Sequence, residues 1–264
     1  MSQKSCHVCR RAGRPVDRPA ERVEDMTKRP PKLRPPGEDT SLWRATLETG
    51  AELMQTHAPL KSFDIYVVGL HCARHDPQMQ MEAHHFCAQV NADVLQCAIF
   101  DGNTEDANLI GVEYIISETL FNGLPEEEKP YWHPHNYEVF SGQLAAPDLP
   151  AAAEIELMRL LVNSYGKTWH TWHTGRADGN GRPGDPLPYG DPTLMWSFNR
   201  DGEADPRLKE DLNTAMGIDE TAKRKERRRL LDHAHSQVGV ATLRSAFPEA
   251  GNSPDGVKDI EDDK

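Results

Sequence analysis

Between Phe63 and Phe198 the chain breaks into short runs of apolar and β-branched residues, each bounded by Gly, Pro, Asn or Asp. That punctuation restricts the fold more than any other feature. The runs at 63–72, 94–101, 109–117, 137–145, 167–171 and 194–198 read as sheet strands. The link after 94–101 is short and opens with Gly102-Asn103, so this run and 109–117 are expected to pair as an antiparallel hairpin rather than through a parallel crossover. Helices fit at 118–121, 125–131 and 151–164, the last with Ile155, Met158, Leu161 and Val162 on one face. The expected fold class is therefore α+β, a mainly antiparallel sheet with flanking helices, over residues 39–200.

The ends read differently. Residues 1–38 are rich in Arg and Pro with almost no large apolar groups, and such a segment buries too little to offset the entropy of ordering, so a disordered basic arm is expected. Asp39, Thr40 or Ser41 can cap a helix running to about His57, with Leu42, Ala45, Leu47, Leu53 and Met54 as its apolar stripe and Pro59 as its stop. Residues 201–264 read as a charged helical and acidic tail. The run Lys223-Arg224-Lys225-Glu226-Arg227-Arg228-Arg229 within it reads as a solvated helix face, with a nuclear address or an anionic-surface contact as other readings.

Charge and composition exclude several roles. Residues 1–37 hold ten Lys or Arg against four Asp or Glu, so with a total of −12 this arm is +6 and the rest −18. An acidic body disfavours nucleic acid as a partner. Apolar runs such as Ile65-Tyr66-Val67-Val68-Gly69-Leu70 fall far short of the ~20 residues that span a bilayer, so no transmembrane segment is expected. The N-terminus lacks the apolar stretch of a secretory signal and five cysteines cannot all pair within one chain, so a reducing, cytoplasmic compartment is the expectation.

The block Tyr131-Trp132-His133-Pro134-His135-Asn136-Tyr137-Glu138-Val139 carries the most chemistry. On an extended strand His133 and His135 share a face about 7 Å apart along the chain, close enough to bind one metal ion. Glu138 lies three residues beyond His135, on the opposite face of an ideal strand, so its participation calls for a bulge or turn near Pro134 and Asn136. Glu113 sits in Leu109-Ile110-Gly111-Val112-Glu113-Tyr114-Ile115-Ile116, where a buried carboxylate must take up a proton or find a cationic or metal partner; a structural hydrogen bond or a rim position is the alternative. The twelve histidines come largely in pairs. His84-His85 contributes His84 to the candidate set, whereas His71 and His75 would align only on a helix, His170 and His173 meet a similar difficulty, and His233 and His235 read as surface residues. Cys6-His7-Val8-Cys9 has zinc-like spacing but no second pair at a suitable distance. Cys72, Cys87 and Cys97 read as core residues, and Gly179-Asn180-Gly181-Arg182-Pro183-Gly184 as a loop without the Lys-Ser/Thr ending of a phosphate loop.

Taken in order, His84-His85-Phe86-Cys87, Gln96-Cys97-Ala98-Ile99-Phe100-Asp101, the 109–117 strand, Leu124-Pro125-Glu126-Glu127-Glu128-Lys129, the 132–139 block and Tyr165-Gly166-Lys167-Thr168-Trp169-His170 closely resemble the oil body-associated protein family over residues 60–200. The resemblance implies peripheral association with lipid droplets, whose size and stability plant members affect, and it attaches no catalytic activity. Pro134 stands where plant members commonly carry Ser, and the basic arm and charged tail lie outside the shared region.

Three readings follow. One is a peripheral protein of lipid droplets or anionic membrane surfaces, cytoplasmic or droplet-bound, for which a homo-oligomer is an open state. A second is a divalent transition metal (Zn, Fe or Mn) held by His133, His135, Glu138, Glu113 and His84, with metal-dependent, cupin-like oxygenase or hydrolase chemistry as its enzymatic form; the order His133, His135, Glu138, Gly142 approaches the first cupin metal motif, one residue short before the Glu. In the third, the histidines form a buried hydrogen-bond network that fixes the fold.

Overall fold

The structure is a computed structural model and describes residues 27–56 and 58–260. Among the described residues seven strands and six α-helices follow in the order α1 (Leu42–Met54), β1 (Ile65–Ala73), β2 (Asp76–Asn91), β3 (Val94–Phe100), β4 (Leu109–Ile116), α2 (Glu118–Asn122), β5 (His133–Pro134), α3 (Asn136–Ser141), α4 (Ala151–Leu161), β6 (Tyr165–His170), β7 (Thr193–Trp196), α5 (Pro206–Met216) and α6 (Glu220–Arg227). The sheet order β4-β3-β2-β1-β7-β6 closes through a further β4–β6 pairing, making a six-stranded antiparallel barrel, with β5 added to β6 at His133↔Gly166. Closure leaves no open sheet edge between these strands. The expected antiparallel sheet is thus present, rolled into a barrel, and the β3–β4 hairpin pairs as the short Gly102-Asn103 link predicts.

Register fixes what faces inward. Val67↔His85, Gly69↔Ala83 and His71↔Met81 join β1 to β2; Cys87↔Cys97 and His85↔Ile99 join β2 to β3; Cys97↔Glu113 joins β3 to β4; Glu113↔Thr168 and Gly111↔His170 join β4 to β6. Side chains alternate along a strand, so His71, His85, Glu113 and His170 share the inner face while His84 points the other way.

Several expectations are corrected. The 137–145 run is not a strand. Asn136–Ser141 is a fully buried helical turn and a half, ended by Gly142 at φ +84°, because a short apolar run surrounded by neighbours shows neither period clearly. Residues 125–131 make turns and a 3₁₀ turn at Lys129–Tyr131 instead of a helix. β2, the longest strand, stands where no strand was expected, since Gln80, Glu82, His84 and His85 hide its pattern although all four are buried. Residues 201–260 are no tail. Leu208, Leu212 and Met216, one turn apart on α5, join Leu230, Val240, Leu243 and Val257 in the main core, each buried aliphatic contributing about 1.5–3 kcal/mol. The 223–229 run is a solvated face only in part: Lys225, Arg228 and Arg229 are exposed, but buried Arg227 donates to the Val139 carbonyl at 2.8 Å and to Glu154, which Lys223 also meets at 2.6 Å, and Arg224 pairs with Asp201.

At the other end, Arg29 and Lys32 of the expected arm dock on buried Glu82, Arg29 at 2.6 Å, and Asn108 donates to the Leu33 carbonyl. Residues 1–26, including Cys6-His7-Val8-Cys9, and 261–264 lie outside the described residues. α1 forms with Ser41 as N-cap and ends at Met54, yet buries none of its side chains: Leu42, Trp43, Leu47, Leu53 and Met54 are all exposed. Cys87 and Cys97 are core residues as expected, and as cross-strand partners they are joined in a disulfide.

Candidate metal centre

Glu113 lies at the middle of the barrel interior, and imidazoles surround it. Its Oε1 is 3.4 Å from His133 Nε2 and 3.3 Å from His135 Nε2, and its Oε2 is 3.0 Å from His85 Nε2. β5 delivers His133 beside Gly166 of β6, and the turn into α3 delivers His135. Because the chain becomes helical at Asn136, His135 and Glu138 stand i, i+3 on one side of a turn, with His135 Nε2 3.8 Å from Glu138 Oε2. A helical turn, not a bulge, resolves the spacing that looked wrong for a strand.

Among the described residues, the donors that lie within 4.8 Å of one another form two trios, Glu113/His133/His135 and His71/His85/Glu113. Of the sequence candidates, His133, His135, Glu113 and Glu138 come together. His84 does not join them: its Nδ1 meets the Tyr66 hydroxyl at 2.8 Å and its Nε2 meets Glu82 at 3.1 Å, so both ring nitrogens are engaged on the opposite face of β2. His85, its neighbour, takes the inward place; strand alternation puts the two on opposite faces, and the register with β1 and β3 decides which faces inward. His71 and His170 were missed because their pairing with His75 and His173 was tested only on a helix; the informative partners sit on other strands. His71 Nδ1 is 3.2 Å from His170 Nε2, and His170 Nδ1 is 3.1 Å from Met81 Sδ.

Electrostatics point the same way. Burial alone would push the Glu113 carboxyl up, yet the His133, His135 and His85 imidazoles hold it well below its ordinary value. Burial, reinforced by the nearby Glu113 charge, pushes Glu138 well above its ordinary value. Burial drives His71 and His133 down and His170 to about 3, so these rings are neutral near pH 7. The Ser164 hydroxyl lies 2.8 Å from both the Leu161 carbonyl and His135 Nδ1, and when it donates to the carbonyl it accepts from the ring. In the tautomer that donates from Nδ1, Nε2 presents its lone pair toward the Glu113 carboxylate. The His135 Nε2–Glu113 Oε1 contact is 3.3 Å, longer than the ~2.7–2.9 Å of a charge-assisted hydrogen bond and the spacing of two ligands on one ion. Both ring nitrogens of His85 and both of His133 are buried without a hydrogen-bond partner.

Ligands of a small divalent ion at 2.0–2.2 Å lie about 2.9–3.4 Å from one another, depending on geometry, and the distances around Glu113 fall in that range. Gly166 makes the space. A Cβ there would stand 2.7 Å from His135 Nε2, 2.8 Å from His133 Nε2 and nearer still to Glu113 Oε1. The cavity between His71, His85, Glu113, His135 and Glu138 measures about 10 Å³, close to the volume one water needs. The residues fit a metal with nitrogen and carboxylate donors.

The sequence profile of a family described as "Protein of unknown function (DUF1264)" matches residues 57–231. Oil body-associated protein 1A of Zea mays is 40% identical over 192 residues, covering 73% of this chain and 78% of that protein. The chain belongs to the oil body-associated protein family. Oil body-associated protein 2B of Arabidopsis thaliana is 41% identical over 163 residues, 62% of this chain and 63% of its own length, and 1B of the same plant is 35% identical over 192 residues. No solved structure matches. The span shared with the family takes in every residue of both trios.

Proposed function

We propose that this chain is a peripheral protein of lipid droplet surfaces whose barrel binds a divalent transition metal, Zn, Fe or Mn. The observation that carries the metal reading is the buried trio of Glu113, His133 and His135, whose donor atoms lie within 4.8 Å of one another with both ring nitrogens of His133 making no hydrogen bond. His133, His135, Glu113 and Glu138 would hold the ion, which would supply a fixed positive charge and Lewis acidity. Imidazole and carboxylate suit Zn, Fe and Mn alike.

The droplet reading is supported by the names of the relatives and by α1. At 100° per residue Leu42, Trp43, Leu47, Leu53 and Met54 occupy one half of this helix, while Arg44, Glu48 and Glu52 lie opposite, and the apolar half is exposed. Among the described residues no helix is long and apolar enough to cross a membrane. The cavity at the centre has no room for an organic substrate, so the metal serves this reading as a structural or small-molecule site.

Two measurements test it. Protein purified without a His tag should carry stoichiometric metal that falls by one equivalent in His133→Ala/His135→Ala, and should float with phospholipid-coated triglyceride droplets. Metal-free protein that takes up none when offered Zn(II), Fe(II) or Mn(II) would refute the metal reading, and protein that stays in the soluble fraction at every salt concentration would refute the droplet reading.

A further inference from the structure

We propose that the barrel holds two metal ions bridged by the Glu113 carboxylate, an inference that rests on the metal reading above. The two carboxylate oxygens face different donors. Oε1 faces His133 and His135, and Oε2 faces His85. The ligand groups divide in the same way, into a His133/His135 trio and a His71/His85 trio that have Glu113 alone in common.

Each side also holds its own unsatisfied ring. His133 on one side and His85 on the other are fully buried with both ring nitrogens unpartnered, so an ion in one trio leaves the imidazole of the other without a partner. The surroundings complete the two sites differently. On the first side Glu138, next to His135, supplies a further oxygen once a cation offsets its repulsion by Glu113. On the second side His170 holds His71 through Nδ1, which leaves Nε2 as the ring nitrogen available for a metal. Carboxylate-bridged pairs of ions stand about 3.5–4 Å apart, and the cavity bordered by residues of both trios has the volume of a single water or hydroxide. The ligand class is therefore a pair of first-row divalent cations with one solvent-derived oxygen.

The test is stoichiometry with Mn(II) alone. Chelator-treated, untagged protein should bind two equivalents by calorimetry and elemental analysis, and at two equivalents its electron paramagnetic resonance spectrum should show the multiline signal of an exchange-coupled pair. His71→Ala/His85→Ala and His133→Ala/His135→Ala should each retain one equivalent with the uncoupled six-line signal, and Glu113→Gln should lower affinity at least 100-fold on both sides. One equivalent in the wild type, or two that remain uncoupled, overturns the bridge and leaves the single-metal reading standing. No binding overturns both. Circular dichroism shows whether each double variant folds; should either fail, the wild-type stoichiometry and spectrum decide alone.

Discussion

Gly166→Ala offers the sharpest perturbation of the centre, because it adds one methyl group and no charge. Gly166 is paired on one side with Ile115 of β4 and on the other with His133 of β5, so its backbone cannot retreat without breaking both ladders. The new Cβ would stand 2.7 and 2.8 Å from the Nε2 atoms of His135 and His133 and closer to Glu113 Oε1, where ordinary contact begins near 3.4 Å. The side chains must give way, the carboxylate by about 1 Å, and a displacement of that size in a positioned site costs about 100-fold, or about 2.7 kcal/mol. In the metal-free protein the same crowding costs about 1–3 kcal/mol, which outweighs the 0.5–1 kcal/mol that Ala gains over Gly in a strand on backbone entropy. Calorimetric titration with Zn(II) against a competing chelator, beside urea unfolding of the chelated protein, measures both. Gly50→Ala in exposed α1, whose nearest neighbour would be Met54 at 3.6 Å, serves as a control that should bind metal normally. Zinc affinity within threefold of wild type for Gly166→Ala, with unfolding unchanged, would refute the reasoning.

Other outcomes follow from the same geometry. Chelation should lower the melting temperature by about 8–16 °C when metal is supplied at a thousand times its dissociation constant, since that excess stabilises by about 4 kcal/mol and each kcal/mol moves a domain of this size about 2–4 °C; calorimetric scans with and without chelator read the difference. Glu82→Gln should destabilise by about 3 kcal/mol, because it leaves Lys32 without its buried counter-charge and Arg29 with Asp211 alone, as urea unfolding at pH 7 would register. Burial raises the Glu82 carboxyl, but His84, Arg29 and Lys32 together hold it well below its ordinary 4.5; its folded value being depressed, its contribution is fully present above pH 4.5 and is lost as pH falls below that value, so the gap between wild type and Glu82→Gln should shrink in acid. Leu47→Glu/Leu53→Glu should leave the melting temperature nearly unchanged, as both side chains are exposed, while weakening partition onto neutral phospholipid-coated droplets about 100-fold, at about 1.5 kcal/mol or more per leucine withdrawn from lipid; flotation against salt measures it.

The antiparallel architecture, the β3–β4 hairpin, α1 with its cap among Asp39, Thr40 and Ser41, and His133, His135 and Glu113 as chemically notable groups were legible in the sequence, because strand alternation, turn residues and a carboxylate inside an apolar run are local signals. The rest is set by distant contacts. Whether His84 or His85 turns inward depends on the register with β1 and β3, and Ile99 and Val67 stand opposite His85 only in the folded barrel. β2 stayed hidden because its polar side chains are satisfied by residues far along the chain, Gln80 by the Glu203 carbonyl and Glu82 by Arg29. Residues 201–260 looked like a tail because the charges of α6 outnumber its apolar groups, yet Glu154 and Asp201 neutralise much of that charge at the surface of the core. Glu138 looked misplaced because a strand was assumed where tertiary packing makes a helical turn.

The central claim is a metal ion between Glu113 and the two histidines of the His133-Pro134-His135 segment. Anomalous diffraction from crystals of untagged protein, recorded on either side of the absorption edge of the element that X-ray fluorescence identifies, tests it most directly. The account predicts an anomalous peak about 2.0–2.2 Å from Glu113 Oε1 and from Nε2 of His133 and His135. Featureless density at that position, with His135 Nε2 bonded directly to the carboxylate at about 2.8 Å, would contradict it.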